Sequence, residues 1–301
     1  NTIEYFFQFL FNCVFISYVA NYKYNSIIVI KILIWLGIAF SYVVLPSILN
    51  TDYVAMRISY GLLPSCLGLI YLAFNKKYSN KVELLLYFLL LLTAFKFLIF
   101  SGSRGAVFSI FVYLYVLIIN KLKTRATKIT FSFIVIILIY YFVFYLDKII
   151  LQVNNFLLIY NIDIEWLDRS IRQMDSDAGL LSNRDQLYEG AVKLISEHPI
   201  FGIGIGNFDS IYGIYPHNLV LELMVEFGLV GTIIFIFIII MGYIKSLKSN
   251  KNIKVMMQFL FSLSIPQLMF SNSFWLSSTF WMYILISIYL IRKNFNYVKC
   301  G

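Results

Sequence analysis

Along this chain, stretches free of charge and rich in Ile, Leu, Phe, Val and Tyr return at intervals, separated by short polar clusters. The charge-free runs are 5–22, 32–51, 58–75, 105–120, 129–146, 227–243 and 255–291. About 20 apolar residues are what a helix needs to cross a hydrocarbon core of about 30 Å, where backbone polar groups must be satisfied internally. Residues 84–100 join the set if Lys96 snorkels or faces a polar interior. The run 255–291 would be about 55 Å long as one helix at 1.5 Å per residue, too long for a single crossing. Ser271, Asn272 and Ser273 offer a polar turn inside it, so it predicts a helical hairpin. The pattern therefore predicts an all-α polytopic membrane protein with about nine transmembrane helices.

Composition sharpens this. Hydrophobic residues make up 60% of the 301 and charged residues 13%, too few charges to cover the surface of an ordinary soluble domain. Disorder is excluded by the abundance of Ile, Leu, Val and Phe. Cys13, Cys66 and Cys300 are too scattered for a disulfide framework or a zinc site. The net charge of +9 has a specific distribution. With nine spans, 15 of the 24 basic residues fall on one side, in the loops 76–81, 121–128 and 245–254, at Lys23, and after residue 291. That side is then cytoplasmic, so the charge reads as a positive-inside bias and not as a nucleic-acid footprint.

The opposite side carries one large loop, 147–216, with ten of the fifteen acids. Loops of this length are uncommon unless functional. Within it, 183–197 reads as an amphipathic helix, with Leu187, Ala191, Leu194 and Ile195 at helical spacing and Pro199 ending it. Three parts follow: an N-terminal bundle over 1–146, with further helices expected before Asn1; the external loop over 147–216; and C-terminal helices over 217–301.

Candidate chemistry gathers at the external side. Arg104, in Ser101-Gly102-Ser103-Arg104-Gly105, reads either as an interfacial arginine bound to lipid phosphate or as an anion clamp beside glycines that permit close approach. Gly202-Ile203-Gly204-Ile205-Gly206 lacks the strand and βαβ unit of a dinucleotide fingerprint and reads as a tight turn at the membrane surface. His217, between Pro216 and Asn218 at the start of a span, reads either as an interface residue or as a catalytic base. Asn218, Glu222 and Glu226, spaced by four, share one helix face. Glu226 lies deep enough to face a bundle interior or polar cavity, with a structural pair to Lys96 or another buried polar group as the plainer reading. Two histidines, His198 and His217, do not make a metal site, and Asp175-Ser176-Asp177 reads as solvated loop before it reads as a metal pair.

These residues also form an ordered set. Leu194-Ile195-Ser196-Glu197-His198-Pro199-Ile200-Phe201-Gly202-Ile203-Gly204-Ile205-Gly206-Asn207-Phe208, then Pro216-His217-Asn218, then Glu226-Phe227-Gly228-Leu229-Val230-Gly231, resemble the O-antigen polymerase and O-antigen ligase family. Ser103-Arg104-Gly105 resembles the Ser-Arg-Gly of that family, and Ser182-Asn183-Arg184 occupies the place of its loop arginine. Asn183 stands where the family often has glycine, and Arg169 and Arg172 are rival loop arginines. The resemblance covers about residues 84–244.

It implies a metal-independent membrane glycosyltransferase of the C type in a bacterial inner membrane, acting at the periplasmic face without a cofactor. The donor would be a glycan on undecaprenyl diphosphate. Arg104 and Arg184 would hold the diphosphate, His217 would activate or position the acceptor hydroxyl, and Asn218, Glu222, Glu226 and Arg172 would support them. The expected activity is a surface-polysaccharide polymerase acting at the non-reducing end of a second lipid-linked repeat unit. The alternative is a ligase that uses lipid A core. Expected partners are the lipid-linked oligosaccharide, membrane lipids and a chain-length regulator, with no nucleic acid. A transporter with a cavity lined by Glu222, Glu226 and Lys96 is the reading from another class, but it expects internal repeats and none is found.

Overall fold

In the computed structural model of the chain, the described residues are 26–39, 52–75, 83–85, 87–90, 92, 104–160 and 184–298. They are helical, with no strand among them. The helices are α1 (Ser26–Ala39), α2 (Asp52–Phe74), α3 (Arg104–Lys121), α4 (Arg125–Phe144), α5 (Leu146–Ile159), α6 (Asp185–Glu197), α7 (Asn207–Tyr212), α8 (Leu219–Leu247), α9 (Lys251–Phe270) and α10 (Ser278–Val298). A 3-10 turn, Phe274–Leu276, joins the last two. The spans expected at 5–22 and over most of 84–100 lie outside the described residues. Among the described residues, α8 and α9 are long and apolar enough to cross a membrane, and shorter apolar helices cover Ile27–Ala39, Ser59–Phe74, Gly105–Lys121 and Ser278–Arg292.

The chain divides into two compact units, 33–183 and 184–301 with 1–32. In the first, α2 packs on α3, burying Leu62, Leu63, Cys66 and Leu67 on one helix and Ala106, Tyr113, Val116 and Leu117 on the other. Lys121 Nζ donates to the Phe74 carbonyl at 2.7 Å and lies 3.8 Å over its ring, closing that end of the pair. The Tyr115 and Ser132 hydroxyls bond at 2.8 Å and join α3 to α4. Helix α5 is a departure from expectation. The sequence reading ended a span at 146 and began the loop there, because Asp147 and Lys148 break the charge-free run. The chain instead starts a second helix at Leu146, whose apolar positions recur at helical spacing around those charges.

In the second unit α8, α9 and α10 pack together around Leu223, Met257, Leu260, Phe274, Phe280, Trp281 and Tyr283. The expected hairpin forms, with α9 ending at Ser271 and the polar turn following it. Helix α8 starts at Leu219, eight residues before the apolar run, because Asn218 caps it. Asn218 Oδ1 accepts the Val220 and Leu221 N–H groups at 3.0 and 3.2 Å, satisfying two donors that a helix start leaves open. Helix α6, expected over 183–197, forms as Asp185–Glu197 and packs on α8 through Leu187, Ala191, Leu194 and Ile195.

One break interrupts α8. Gly228 has φ 63° and ψ −165°, outside the helical region. A regular helix would bond Leu229 N–H to the Val225 carbonyl and Val230 N–H to that of Glu226. Here Leu229 N–H donates to Pro199 O at 2.8 Å and Val230 N–H to Ile200 O at 3.2 Å. The released carbonyls of Val225 and Glu226 accept from Ile203 N–H at 2.8 Å and Gly204 N–H at 3.1 Å. The segment after α6 is thus laced into the helix, and four bonds replace two. Glycine is required on both sides. A Cβ on Gly202, at φ 70°, would come 2.5 Å from Val225 O, and one on Gly228 would overlap the Ile200 carbonyl.

Candidate functional site

The rim at the start of α8 is built from three chain reversals that meet there. Pro216 fixes the approach, and His217 then turns the chain in the left-handed region at φ 57°, a conformation that costs a non-glycine residue about 1–2 kcal/mol. That turn sets Asn218 to cap the helix. The imidazole lies 4.4 Å from the Tyr215 ring, centroid to centroid, and is half-buried. Its Nδ1 is buried and makes no hydrogen bond among the described residues. Burial, with the positive charge of Arg184 as a second cause, lowers the His217 pKa from 6.5 to about 4, so the ring is neutral at pH 7.

Arg184 stands at the N-terminal cap position of α6, and its Nη1 donates to the Phe270 carbonyl at 2.7 Å. That carbonyl belongs to the last turn of α9, where acceptors lack helical partners and the dipole favours a cation. A guanidinium has five N–H donors, so this bond occupies one. Phe270 also leads directly into the turn that the acids of α8 hold.

Glu222 and Glu226 are buried, and both point to that turn. Glu222 accepts from the Ser273 hydroxyl and from Phe274 N–H, the latter at 3.4 Å. Glu226 accepts from Trp275 Nε1 at 2.7 Å through one oxygen, and from Gly206 N–H at 3.2 Å through the other. Each carboxylate therefore fastens α8 to another segment, and Glu226 fastens it to two. Glu222 thus finds a partner in the polar turn, and Glu226 finds its partners in the Trp275 indole and the Gly206 amide; Lys96 lies outside the described residues. The amides of Ile203, Gly204 and Gly206 are all used within the protein, so this glycine-rich turn is a docking device.

The sequence-predicted residues are thus placed as follows. Arg184, His217, Asn218, Glu222 and Glu226 lie together in the second unit. Arg104 opens α3 in the first unit. Arg172, with Asp175 and Asp177, lies outside the described residues. His198 is the exposed C-cap of α6, and its N–H bonds the Leu194 carbonyl at 2.9 Å. Sequence reasoning missed Ser273, Phe274 and Trp275 as part of this arrangement. The available signal was a polar turn in an apolar hairpin, opposite two acids that needed partners.

A comparison with curated proteins gives no match. The sequence model of the family described as O-antigen ligase matches residues 88–236, a range that contains Arg104, Arg184, His217, Asn218, Glu222, Glu226 and both glycines of the laced break. It nearly coincides with the range over which the motifs resemble that family. Over residues 88–236, just under half of its length, the chain is thus similar to the O-antigen ligase family, a family of membrane proteins with ligase- or polymerase-type activity.

Proposed function

We propose that the chain is a surface-polysaccharide polymerase of a bacterial inner membrane, crossing it nine times with 147–216 on the external side. Its donor is a glycan on undecaprenyl diphosphate and its acceptor a second lipid-linked repeat unit. The acceptor hydroxyl attacks the anomeric carbon of the donor glycan while the bond from that carbon to the diphosphate breaks. The hydroxyl proton passes to His217, and the lipid diphosphate leaves with the electron pair. The supporting observation is the state of His217: a neutral imidazole held in a strained backbone conformation, with a buried Nδ1 that bonds no group among the described residues. Arg184, whose charge bears on the same ring, is the cation for the leaving group. Arg104 and Arg172 are assigned to that charge by the resemblance alone. Asn218, Glu222 and Glu226 shape the rim and need not touch substrate. The charge stabilisation comes from arginine, so the reading requires no divalent metal.

A ligase using lipid A core is the second reading, favoured by the description of the matched family. Glycans separated on a gel from cells with and without the chain distinguish the two. Loss of the ladder with one unit retained on core supports polymerase, and loss of all glycan from core supports ligase. His217→Ala should reproduce the null pattern at normal protein level, and a normal ladder from that variant would remove His217 from the chemistry.

A further inference from the structure

Ile200 and Phe201 are among the most exposed large apolar side chains of the second unit, at 57% and 76% exposure. They belong to the segment laced into α8, so their depth can be read from the helix. Leu229, whose N–H bonds the Pro199 carbonyl, lies 16 residues before Lys245, or about 24 Å at 1.5 Å per residue. With Lys245 at one interface of a core of about 30 Å, Leu229 and the loop bonded to it fall inside the hydrocarbon, close to its other edge. Helix α8 is apolar and long enough to span, yet only 28% of its most apolar window is buried, as expected where lipid covers the rest. Its exposed stripe, Leu229, Ile233, Phe237, Ile240 and Ile244, runs up to the point where Ile200 and Phe201 emerge.

A non-helical backbone is tolerated at such depth only when its polar groups are satisfied. The break at Gly228 supplies partners to four of those of 199–204. The Pro199 and Ile200 carbonyls and the Ile203 and Gly204 amides all bond to α8. Gly202 N–H bonds the His198 carbonyl at 3.1 Å. Two neighbouring large apolar side chains thus face outward beside a segment whose backbone is bonded to α8 at four points.

We infer that 199–204 is a re-entrant wedge, seated in the leaflet at the Leu219 end of α8, with Ile200 and Phe201 in contact with lipid hydrocarbon. The wedge continues the lipid-facing stripe of α8 and fixes the candidate rim at the edge of the hydrocarbon. The inference rests on α8 crossing the membrane and is independent of the chemistry assigned to His217.

The test places the photo-crosslinker p-benzoylphenylalanine at position 201 in the full chain, in vesicles of radiolabelled phosphatidylethanolamine and phosphatidylglycerol. Position 237, on the exposed stripe of α8, and position 197, at the exposed end of α6, serve as references. On irradiation, label should attach at 201 to within about threefold of 237, and at least about tenfold above 197. Label at 237 with none at 201 overturns the wedge, as does a cross-link from 201 to a second copy of the chain. Absence of label at both 201 and 237 overturns the span itself. No arm reads glycan transfer, so its outcome is separate from that of the polymerase reading.

Discussion

His217 couples strain, burial and a neighbouring charge at one residue, and this makes its protonation testable. Its pKa is lowered to about 4, so the folded protein holds the ring neutral where a free imidazole would begin to charge below 6.5. Between pH 6.5 and 4 the unfolded chain binds the extra proton and the folded one does not, so this group's contribution to stability falls as pH drops through that window. Activity that needs the neutral ring should persist lower still. The acid limb of kcat/KM, which reports the free enzyme, is expected near pH 4 to 5, and Arg184→Gln should move it upward by removing one of the two causes. A limb at 6.5 that Arg184→Gln leaves unmoved would exclude His217 as the titrating base. A second residue-scale test concerns Glu226 and Trp275. A net intramolecular hydrogen bond contributes about 0.5–1.5 kcal/mol, so Glu226→Gln and Trp275→Phe should each lower thermal stability, and the double variant should cost clearly less than the sum. Additive losses in detergent melts would mean the pair does not act as one connection. Sequence placed these acids on one face of a helix but not their partners, because Gly206 and Trp275 lie on opposite sides of α8 in the chain and meet it only after folding.

At the scale of the element, the broken helix explains why the two glycine motifs occur together. Gly202 and Gly228 both hold a positive φ, and each also makes room for the other segment's backbone. Gly228→Ala places a Cβ at φ 63° against the Ile200 backbone, so strain and overlap add. The expected destabilisation is at least about 2 kcal/mol, with Gly202→Ala similar, measured as a fall in midpoint temperature of the purified chain. Gly213→Ala is the comparison. It shares the positive φ, 75°, but nothing lies within 4 Å of its Cβ, so only the backbone strain should register. Equal losses at all three sites would show that lacing adds nothing beyond strain. The sequence showed a tight turn at Gly202-Ile203-Gly204-Ile205-Gly206. It could not reveal the lacing, since an exchange of helical hydrogen bonds leaves no periodicity. Helix α5 escaped for a related reason: a search for charge-free runs stops at Asp147, although helical spacing continues past it.

For the molecule as a whole, hydrophobic runs located most described helices, because transmembrane length and apolarity are written directly in composition. The hairpin of α9 and α10 came from the length of the run and from the three polar residues that interrupt it, and its turn follows there. Sidedness is a different kind of information. It follows from basic residues flanking the apolar runs, and the nine-segment arrangement puts 15 of 24 on one side. This count is tested without reference to activity. Lys123 lies exposed between α3 and α4, and Glu197 lies exposed at the end of α6. A cysteine replacing Glu197 should react with a membrane-impermeant maleimide from the external side, whereas one replacing Lys123 should react only after the inner membrane is opened. The two positions are separated by an odd number of crossings in the nine-span arrangement, so labelling of both from the same side would break the parity. Labelling of both only after the inner membrane is opened would also move the rim of His217 and Arg184 away from the external face, because α6, which ends at Glu197, packs on α8.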